Sequence, residues 1–189
     1  MKHASSIAIV GGGLAGLCAA HALRTFGIEA EVFEAASELG EIGAAVNIMA
    51  NGTKSLEALG LGDKLTAAGD LHAGIFSRNM HSGELIEFFD PEPLRWGAPQ
   101  YTFHRADLIG VLVDAVDPAS IRLGHRLESL TERDDGVELT FANGVTHRAD
   151  FVIGADGVHS VMRHALYGDD NPAYTGQMVW RALLRSRDV

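Results

Sequence analysis

Residues 7–16 read IAIVGGGLAG and place four glycines within six positions, directly after a run of branched apolar residues. A buried strand that runs into glycines is typical of a site where another backbone or a ligand approaches closely. Residues 14–26 then carry apolar side chains at helical spacing, and residues 29–35 (EAEVFEA) have the pattern of a second strand. A strand, a glycine turn, a helix and a strand within about 30 residues predict a βαβ unit with a right-handed crossover.

Three of these glycines have the spacing of a phosphate-binding turn. Gly11, Gly13 and Gly16 fit the pattern G-x-G-x-x-G between the predicted strand and helix. The first glycine permits a tight turn, the second lets the backbone approach a pyrophosphate, and the third lets the helix pack closely on the strand. The N–H groups of the first helical turn, at Leu14 and Ala15, would then point at the anion.

An acid follows at the end of the second predicted strand. Glu34 lies 18 residues after Gly16, where a carboxylate accepts the hydroxyls of an adenosine ribose and repels a 2′-phosphate. Together with the glycine turn it predicts a dinucleotide site. The alternative is a glycine-rich turn that binds nothing, with Glu34 as a surface charge. The spacing alone does not separate NAD from FAD.

Composition limits the classes of protein that the chain can represent. Its 189 residues allow one ordinary domain, or a large domain with a smaller appendage. Apolar residues make up 47% and charged residues 21%, which predicts a packed core. The formal net charge of −10 disfavours nucleic acid and anionic membranes as partners. No apolar stretch has the length of a membrane span, and no secretory signal pattern is visible at the N-terminus.

Cysteine usage indicates the compartment. The single cysteine, Cys18, excludes an intramolecular disulfide and suits a reducing cytoplasm. It lies within GLCAAHAL, where a small packing residue is expected. We therefore predict a cytoplasmic protein.

The rest of the chain mixes helical and strand patterns. Residues 51–69 look helical in pieces broken at Gly60 and Gly62, and residues 73–89 alternate around His81-Ser82-Gly83 as a hairpin does. An irregular connector follows this hairpin. The further predicted elements are a helix over 105–116, strands near 121–130, 136–141 and 144–148, a strand over 151–157, and a short helix from about residue 159.

Several stretches resemble the FAD-dependent aromatic hydroxylases, the single-component flavoprotein monooxygenases that include salicylate hydroxylase. The resemblance covers nearly the whole chain, in the family's order. It implies FAD as cofactor, NAD(P)H as transient reductant, O2, and a small aromatic, salicylate-like substrate. The stretches are IAIVGGGLAGLCAAHALRTFGIEAEVFE (7–34), GEIGAAVNIMANG (40–52), HRADL (104–108), VIGADGVHSVMR (152–163) and YTGQMVWRALL (174–184).

The resemblance also implies roles for individual residues. Arg105 would contact the FAD pyrophosphate or ribityl chain; the alternative is a local ion pair with Asp107. Asp156 and Gly157 would meet the same region; the alternative is that Asp156 caps the following helix. Ser160 and Arg163 in this motif are expected to brace the structure.

The same resemblance implies roles for further residues. Leu127 would offer its backbone near the adenine, and residues 43–47 would pass the isoalloxazine ring. Asn47 and Arg181 are candidates for substrate contact. No catalytic side chain and no metal site are expected, because the cofactor carries the chemistry. The candidate cofactor-binding residues are Gly11, Gly13, Leu14, Ala15, Gly16, Glu34, Ala35, Gly43, Val46, Arg105, Leu127, Asp156 and Gly157.

The expected fold is α/β: a Rossmann-like FAD-binding domain with a βαβ unit and a three-stranded β-meander, plus strands of an incomplete substrate-domain sheet. Residues 1–70 and 101–170 are predicted to form the FAD-binding domain. Residues 71–100 and 171–189 are predicted to belong to a substrate-binding domain.

A later Gly-Asp motif of the family is absent from the sequence. The chain therefore resembles the N-terminal part of a monooxygenase, and the missing C-terminal part is its expected partner. The alternative is a non-catalytic FAD- or nucleotide-binding module, or a half-protein that needs a partner chain. A flavin oxidase or an NAD dehydrogenase is disfavoured by HRADL together with GADGVHSVMR.

Overall fold

Short strands alternate with helices along the chain, of which the computed structural model describes residues 6–40, 45–72, 74–90, 93–168 and 172–179. The elements in chain order are β1 (Ile7–Val10), α1 (Leu14–Thr25), β2 (Glu31–Phe33), β3 (Ala45–Ile48), α2 (Ala50–Ala58), α3 (Gly62–Ala68), β4 (Asp70–Leu71), β5 (Ile75–Arg78), β6 (Leu85–Phe89), α4 (Pro93–Trp96), β7 (Tyr101–His104), α5 (Arg105–Val113), a 3₁₀ turn (Pro118–Ser120), β8 (Ile121–Arg122), β9 (Leu127–Arg133), β10 (Gly136–Phe141), β11 (Thr146–Ala149), β12 (Phe151–Gly154) and α6 (Val161–Tyr167).

The first of two units contains residues 6–40, 112–168 and 172–179. Its parallel sheet has the strand order β12-β1-β2-β8. β1 is central and pairs with β12 (Ile7 with Phe151) and with β2 (Ala8 with Glu31). The middle residues of β1 are fully buried, as expected for a parallel strand covered on both faces. The predicted βαβ unit, β1-α1-β2, is confirmed.

Helix α1 packs its small and aliphatic side chains inward. Leu17 and Ala20 are buried, and the helix ends before Gly27, whose N–H donates to the Arg24 carbonyl at 2.9 Å as expected for a residue just beyond a C-terminus. Cys18 is half-buried, and this burial raises the pKa of its thiol. A raised pKa keeps the thiol protonated at neutral pH, which fits the predicted packing role.

The predicted three-stranded meander is present, with the strand order β11-β10-β9. It joins the parallel sheet through one apolar cluster. Phe33 of β2 stacks on Phe141 of β10 with ring centroids 4.8 Å apart, and both rings are almost completely buried. Burying an aromatic side chain of this size contributes about 1.5–3 kcal/mol. The cluster consists of Ala8, Val10, Phe33, Leu127, Leu139, Phe141, Ala149 and Met162.

The prediction of one strand over 121–130 was wrong. Residues 121–122 form β8 at the edge of the parallel sheet, whereas β9 belongs to the meander. Between them the Gly124 N–H donates to the Ala36 carbonyl, and the His125 N–H donates to the Glu34 carbonyl, each at 2.8 Å. These bonds divert the chain from one sheet to the other and hold it against the end of β2.

The second unit contains residues 45–72, 74–90 and 93–111. It has an antiparallel sheet with the strand order β3-β7-β4, in which Asn47 pairs with Thr102. None of these three strands was predicted from the sequence. The connector after the hairpin was expected to be irregular, but it contains α4.

The predicted hairpin is confirmed as β5 and β6, which form their own two-stranded sheet. Its large apolar side chains are exposed, with Phe76 at 56% and Ile86 at 68% of full accessibility. Phe76 and Phe88 stack on each other with centroids 4.5 Å apart. An isolated two-stranded hairpin is only marginally stable in water.

The predicted division into an FAD-binding domain and a substrate-binding domain stays a prediction. In the structure, residues 45–70 and 101–111 belong to the second unit, where β3 and β4 both pair with β7. Within the described part of 171–189, residues 172–179, no strand is present. Among the described residues, no helix has the length and apolar character needed to cross a membrane.

Candidate functional site

The glycine turn lies where β1 ends, between β2 and β12. The Gly11 N–H donates to the Phe33 carbonyl at 2.8 Å, and the Ala155 N–H donates to the Val10 carbonyl at 2.7 Å. Gly11 has φ of +109°, and a Cβ there would collide with the Ala155 carbonyl oxygen. A Cβ on Gly16 would collide with the Gly11 carbonyl oxygen. Both glycines are therefore required by close backbone packing.

Helix α1 presents an open N-terminus at this turn. Gly13 is its N-cap residue and has no side chain to cap the helix, and the first turn contains no acidic residue. Leu14, Ala15 and Gly16 form that first turn, and the first intrahelical bond runs from the Leu17 N–H to the Gly13 carbonyl at 3.0 Å. The N–H groups of the first turn and the helix dipole therefore suit an anion at this end.

Glu34 is half-buried and bridges two backbone turns. Its Oε2 accepts the Gly12 N–H at 2.6 Å, and its Oε1 accepts the Ala36 N–H at 2.8 Å. An ionised carboxylate has about four lone-pair positions, so each oxygen keeps capacity for a further donor such as a ribose hydroxyl. The contact with Gly12 was not predicted, because Gly12 occupies a variable position of the G-x-G-x-x-G pattern.

A cleft of about 480 Å³ opens at the carboxyl ends of β1, β2 and β12. In doubly wound folds, ligands bind at this edge of the parallel sheet. Leu14, Ala15 and Gly16 lie in the adjoining first turn of α1 and do not line the cleft itself. The cleft brings together seven predicted residues: Gly11, Gly13, Glu34, Ala35, Leu127, Asp156 and Gly157.

Part of the cleft lining was not predicted from the sequence. His125 and Arg126 also line the cleft. The His125 ring meets Phe33 and Phe141 edge-on, and its Nδ1 lies 2.7 Å from the Leu123 carbonyl. Because a carbonyl only accepts, Nδ1 carries a proton and donates. No sequence motif marks these two residues; their position follows from the turn that separates β8 from β9.

Asp156 faces the start of α6. Its Oδ1 accepts the Ser160 hydroxyl at 2.6 Å, and its Oδ2 accepts the Met162 N–H at 3.1 Å. Ser160 is the N-cap residue of α6 and accepts the Arg163 N–H at 2.8 Å, while Arg163 donates to the Val158 carbonyl at 3.1 Å. These bonds support the capping alternative for Asp156 and the bracing role of Ser160 and Arg163. A ligand contact by Asp156 stays a prediction.

The capping role predicts a loss of stability in Asp156→Ala. Two donors at the start of α6 lose their acceptor, so the free energy of unfolding is expected to fall by about 0.5–2 kcal/mol. Chemical denaturation followed by circular dichroism would measure this change. Asp134→Ala, in an exposed turn, serves as the control, and equal stability of the two variants would contradict the capping role.

The second unit contains Asn47 and Val46 on β3. Asn47 is exposed, and its Oδ1 accepts the Thr102 hydroxyl at 2.9 Å. Thr102 Oγ1 lies 3.1 Å from His72 Nδ1, and it accepts there because its own proton is committed to Asn47. His72 Nε2 is buried and makes no hydrogen bond within the described part of the chain. Substrate contact by Asn47 stays a prediction.

The other predicted residues belong to the second unit or fall outside the described residues. Arg105 is the first residue of α5, in the second unit, and is half-buried. Gly43 and Arg181 lie outside the described residues. Within the described ranges, no three His, Cys, Asp or Glu side chains group as metal ligands.

The chain is similar in sequence to known FAD-binding proteins. The sequence profile of a family described as "FAD binding domain" matches residues 4–182. A 3-amino-4-hydroxybenzoate 2-monooxygenase from Streptomyces cremeus is 40% identical over 181 residues, which are 94% of this chain and 46% of the relative. A 6-hydroxynicotinate 3-monooxygenase from Pseudomonas fluorescens is 33% identical over 192 residues, which are 100% of this chain and 50% of the relative. The chain thus spans about half the length of these relatives.

Solved structures show the same relationship. Klebsiella pneumoniae HpxO complexed with FAD and uric acid has a TM-score of 0.76 and 32% identity, over 87% of this chain and 42% of that protein. The 2,6-dihydroxypyridine-3-hydroxylase from Arthrobacter nicotinovorans has a TM-score of 0.76 and 25% identity, over 93% of this chain and 42% of that protein.

Proposed function

Because the chain belongs to the FAD-dependent aromatic hydroxylase family, we propose that it is the FAD-binding part of a monooxygenase that hydroxylates a small aromatic substrate with O2 and NAD(P)H. The observation that carries this proposal is the cleft, where the glycine turn, the start of α1 and Glu34 converge at one edge of the parallel sheet. These groups are the donors and acceptor that a dinucleotide needs.

The cleft residues fit FAD by their chemistry. Glu34 would accept the ribose hydroxyls, and the N–H groups at the start of α1 would bind the pyrophosphate. A side chain at position 11 or 16 would collide with a backbone carbonyl oxygen, so both positions beside this turn need glycine. The Leu127 backbone would lie at the adenine end, since Leu127 lines the cleft with Glu34. Arg105 is proposed for the pyrophosphate or ribityl chain.

FAD, when bound, supplies the redox chemistry of the family. The chain's own residues bind and orient it, and no nucleophilic side chain is needed. The named relatives act on 3-amino-4-hydroxybenzoate and 6-hydroxynicotinate, which are aromatic acids with a ring hydroxyl. A salicylate-like substrate of the same class is therefore proposed here, with Asn47 and Arg181 as the candidate contacts.

Binding spectroscopy tests the proposal. Titration of the chain with FAD should quench the flavin fluorescence and shift the two visible flavin bands, and ADP-ribose should compete because it shares the adenosine and pyrophosphate groups. Saturable binding of NAD without binding of FAD would contradict the assignment.

The ribose contact predicts a loss of affinity in Glu34→Ala. Removal of the carboxylate leaves ribose hydroxyls and backbone donors without an acceptor, so FAD binding is expected to weaken by about 1–3 kcal/mol. Fluorescence titration measures the dissociation constant. Glu29→Ala, an exposed acid just before β2, is the matched control. The ribose role is wrong if Glu34→Ala binds FAD as tightly as that control.

A second candidate is an FAD-binding module that works only with a partner chain. It is favoured by the exposed apolar hairpin of β5 and β6. Substrate-dependent NAD(P)H oxidation by these residues within a polypeptide of the relatives' full length would favour the monooxygenase. FAD binding without turnover in that polypeptide would favour the module.

A further inference from the structure

We propose that Glu34 is also a positioning residue, which holds the glycine turn in its binding shape by accepting the Gly12 N–H. The same side chain then makes glycine obligatory at position 12. The link to FAD pyrophosphate rests on the proposed function, whereas the coupling between Glu34 and Gly12 is a property of the protein without ligand.

The contacts of the carboxylate support this role. Gly12 is buried, and its N–H has the Oε2 of Glu34 as acceptor at 2.6 Å. The other oxygen accepts the Ala36 N–H at 2.8 Å. One carboxylate therefore ties the turn after β1 to the turn after β2. A buried N–H that loses its acceptor is costly, so the turn is expected to rearrange without Glu34.

Steric contacts show why position 12 is special. A Cβ on Gly12 would lie 2.9 Å from Glu34 Cβ, 3.1 Å from its Oε2 and 3.2 Å from its Cγ. These three atoms belong to one side chain. Gly12 is not among the glycines with positive φ, so its backbone conformation admits alanine. The need for glycine at position 12 therefore comes from Glu34, unlike the need at Gly11.

A double-mutant cycle tests the coupling. Gly12→Ala alone is expected to weaken FAD binding about tenfold or more, because the new methyl group displaces the carboxylate. In Gly12→Ala/Glu34→Gly the methyl group has space, because glycine removes the Cβ of residue 34 as well as its carboxylate. The double variant should therefore bind FAD within about threefold of Glu34→Gly. Unfolding midpoints of the apoproteins should show the same non-additivity. Losses that multiply in the double variant would overturn the proposal.

The matched control is Gly110→Ala. Among the described residues, a Cβ on Gly110 meets no atom within 4 Å, so its effect should combine independently with that of Glu34→Gly. If Gly12→Ala does not fold, recovery of folding in the double variant is the expected result.

Amide hydrogen exchange gives a local readout that requires no FAD. In Glu34→Gln one of the two amides must lose its acceptor, because a carboxamide has only one oxygen. The N–H of Gly12 or of Ala36 should therefore exchange about tenfold faster or more, while Ala8 in the centre of β1 stays protected. Unchanged exchange at both amides would overturn the proposal. If the parent protein binds no FAD, the proposed function fails, and the exchange result still decides the role of Glu34.

Discussion

Gly16→Ala is expected to weaken FAD binding by at least about 100-fold, or roughly 2.7 kcal/mol. A Cβ at this position would collide with the carbonyl oxygen of Gly11 and lie 3.3 Å from Ile9 Cγ2. The obstacle is backbone, which cannot rotate away as a side chain does. Helix α1 would therefore have to move off β1, and its N-terminus would leave the glycine turn. Overpacking of this kind commonly costs about 1–3 kcal/mol, and more when backbone must shift.

Fluorescence titration with FAD, together with circular dichroism of the apoprotein, would measure this effect. Gly110→Ala again provides the control, because it adds the same methyl group in open space. The control should bind FAD as the parent does. A Gly16→Ala protein with the parent's affinity and fold would show that close packing of α1 on β1 is not needed for the site.

The second large effect is the dependence of FAD affinity on the length of the polypeptide. The chain alone is expected to bind FAD at least about 100-fold more weakly than the same residues within a polypeptide of the relatives' full length. The cleft residues are proposed to bind the adenosine and pyrophosphate end of FAD. The later Gly-Asp motif that the family resemblance implies for the ribityl chain is not found in residues 1–189. Each charge-assisted hydrogen bond that is missing removes about 1.5–3 kcal/mol.

Exposed apolar side chains lead to a related expectation, which is that the chain alone associates with itself. Met80 is 88% exposed and Ile86 is 68% exposed on the hairpin of β5 and β6. Exposed apolar clusters of this kind favour association. We therefore expect concentration-dependent self-association of the chain in sedimentation experiments.

Gel filtration of a preparation verified by intact mass would test the length prediction. The expected result is a protein that loses its yellow colour on the column and does not hydroxylate aromatic acids with NAD(P)H. Adding FAD to the eluted protein would control for unfolding. Retention of the flavin together with hydroxylation by residues 1–189 alone would show that the chain is sufficient.

Local patterns accounted for much of the first unit. The βαβ unit could be predicted because an apolar run, a glycine turn and a helical period occur in immediate succession. The meander could be predicted because Asn143-Gly144 is a strong turn signal between two alternating runs. The hairpin of β5 and β6 could be predicted for the same kind of reason.

The pairing of strands that are distant in sequence could not be predicted in this way. β3 and β7 are four residues each and pair across more than fifty intervening positions, with Asn47 opposite Thr102. Strands this short carry too little alternation to be distinguished from loops. The break between β8 and β9 was missed because it depends on hydrogen bonds from Gly124 and His125 to residues at the end of β2.

The residues of the candidate site also divide into those that local motifs predicted and those that only long-range contacts revealed. By itself, the sequence determined the glycine turn, Glu34 and the Asp156-Gly157 turn, because each of these is a short motif with a local steric or charge requirement. Only the tertiary structure decided that Glu34 holds Gly12, that Asp156 faces the start of α6, and that His125 lines the cleft. These contacts join residues from separate segments of the chain, and their geometry is set by how the sheets pack, which no local pattern encodes.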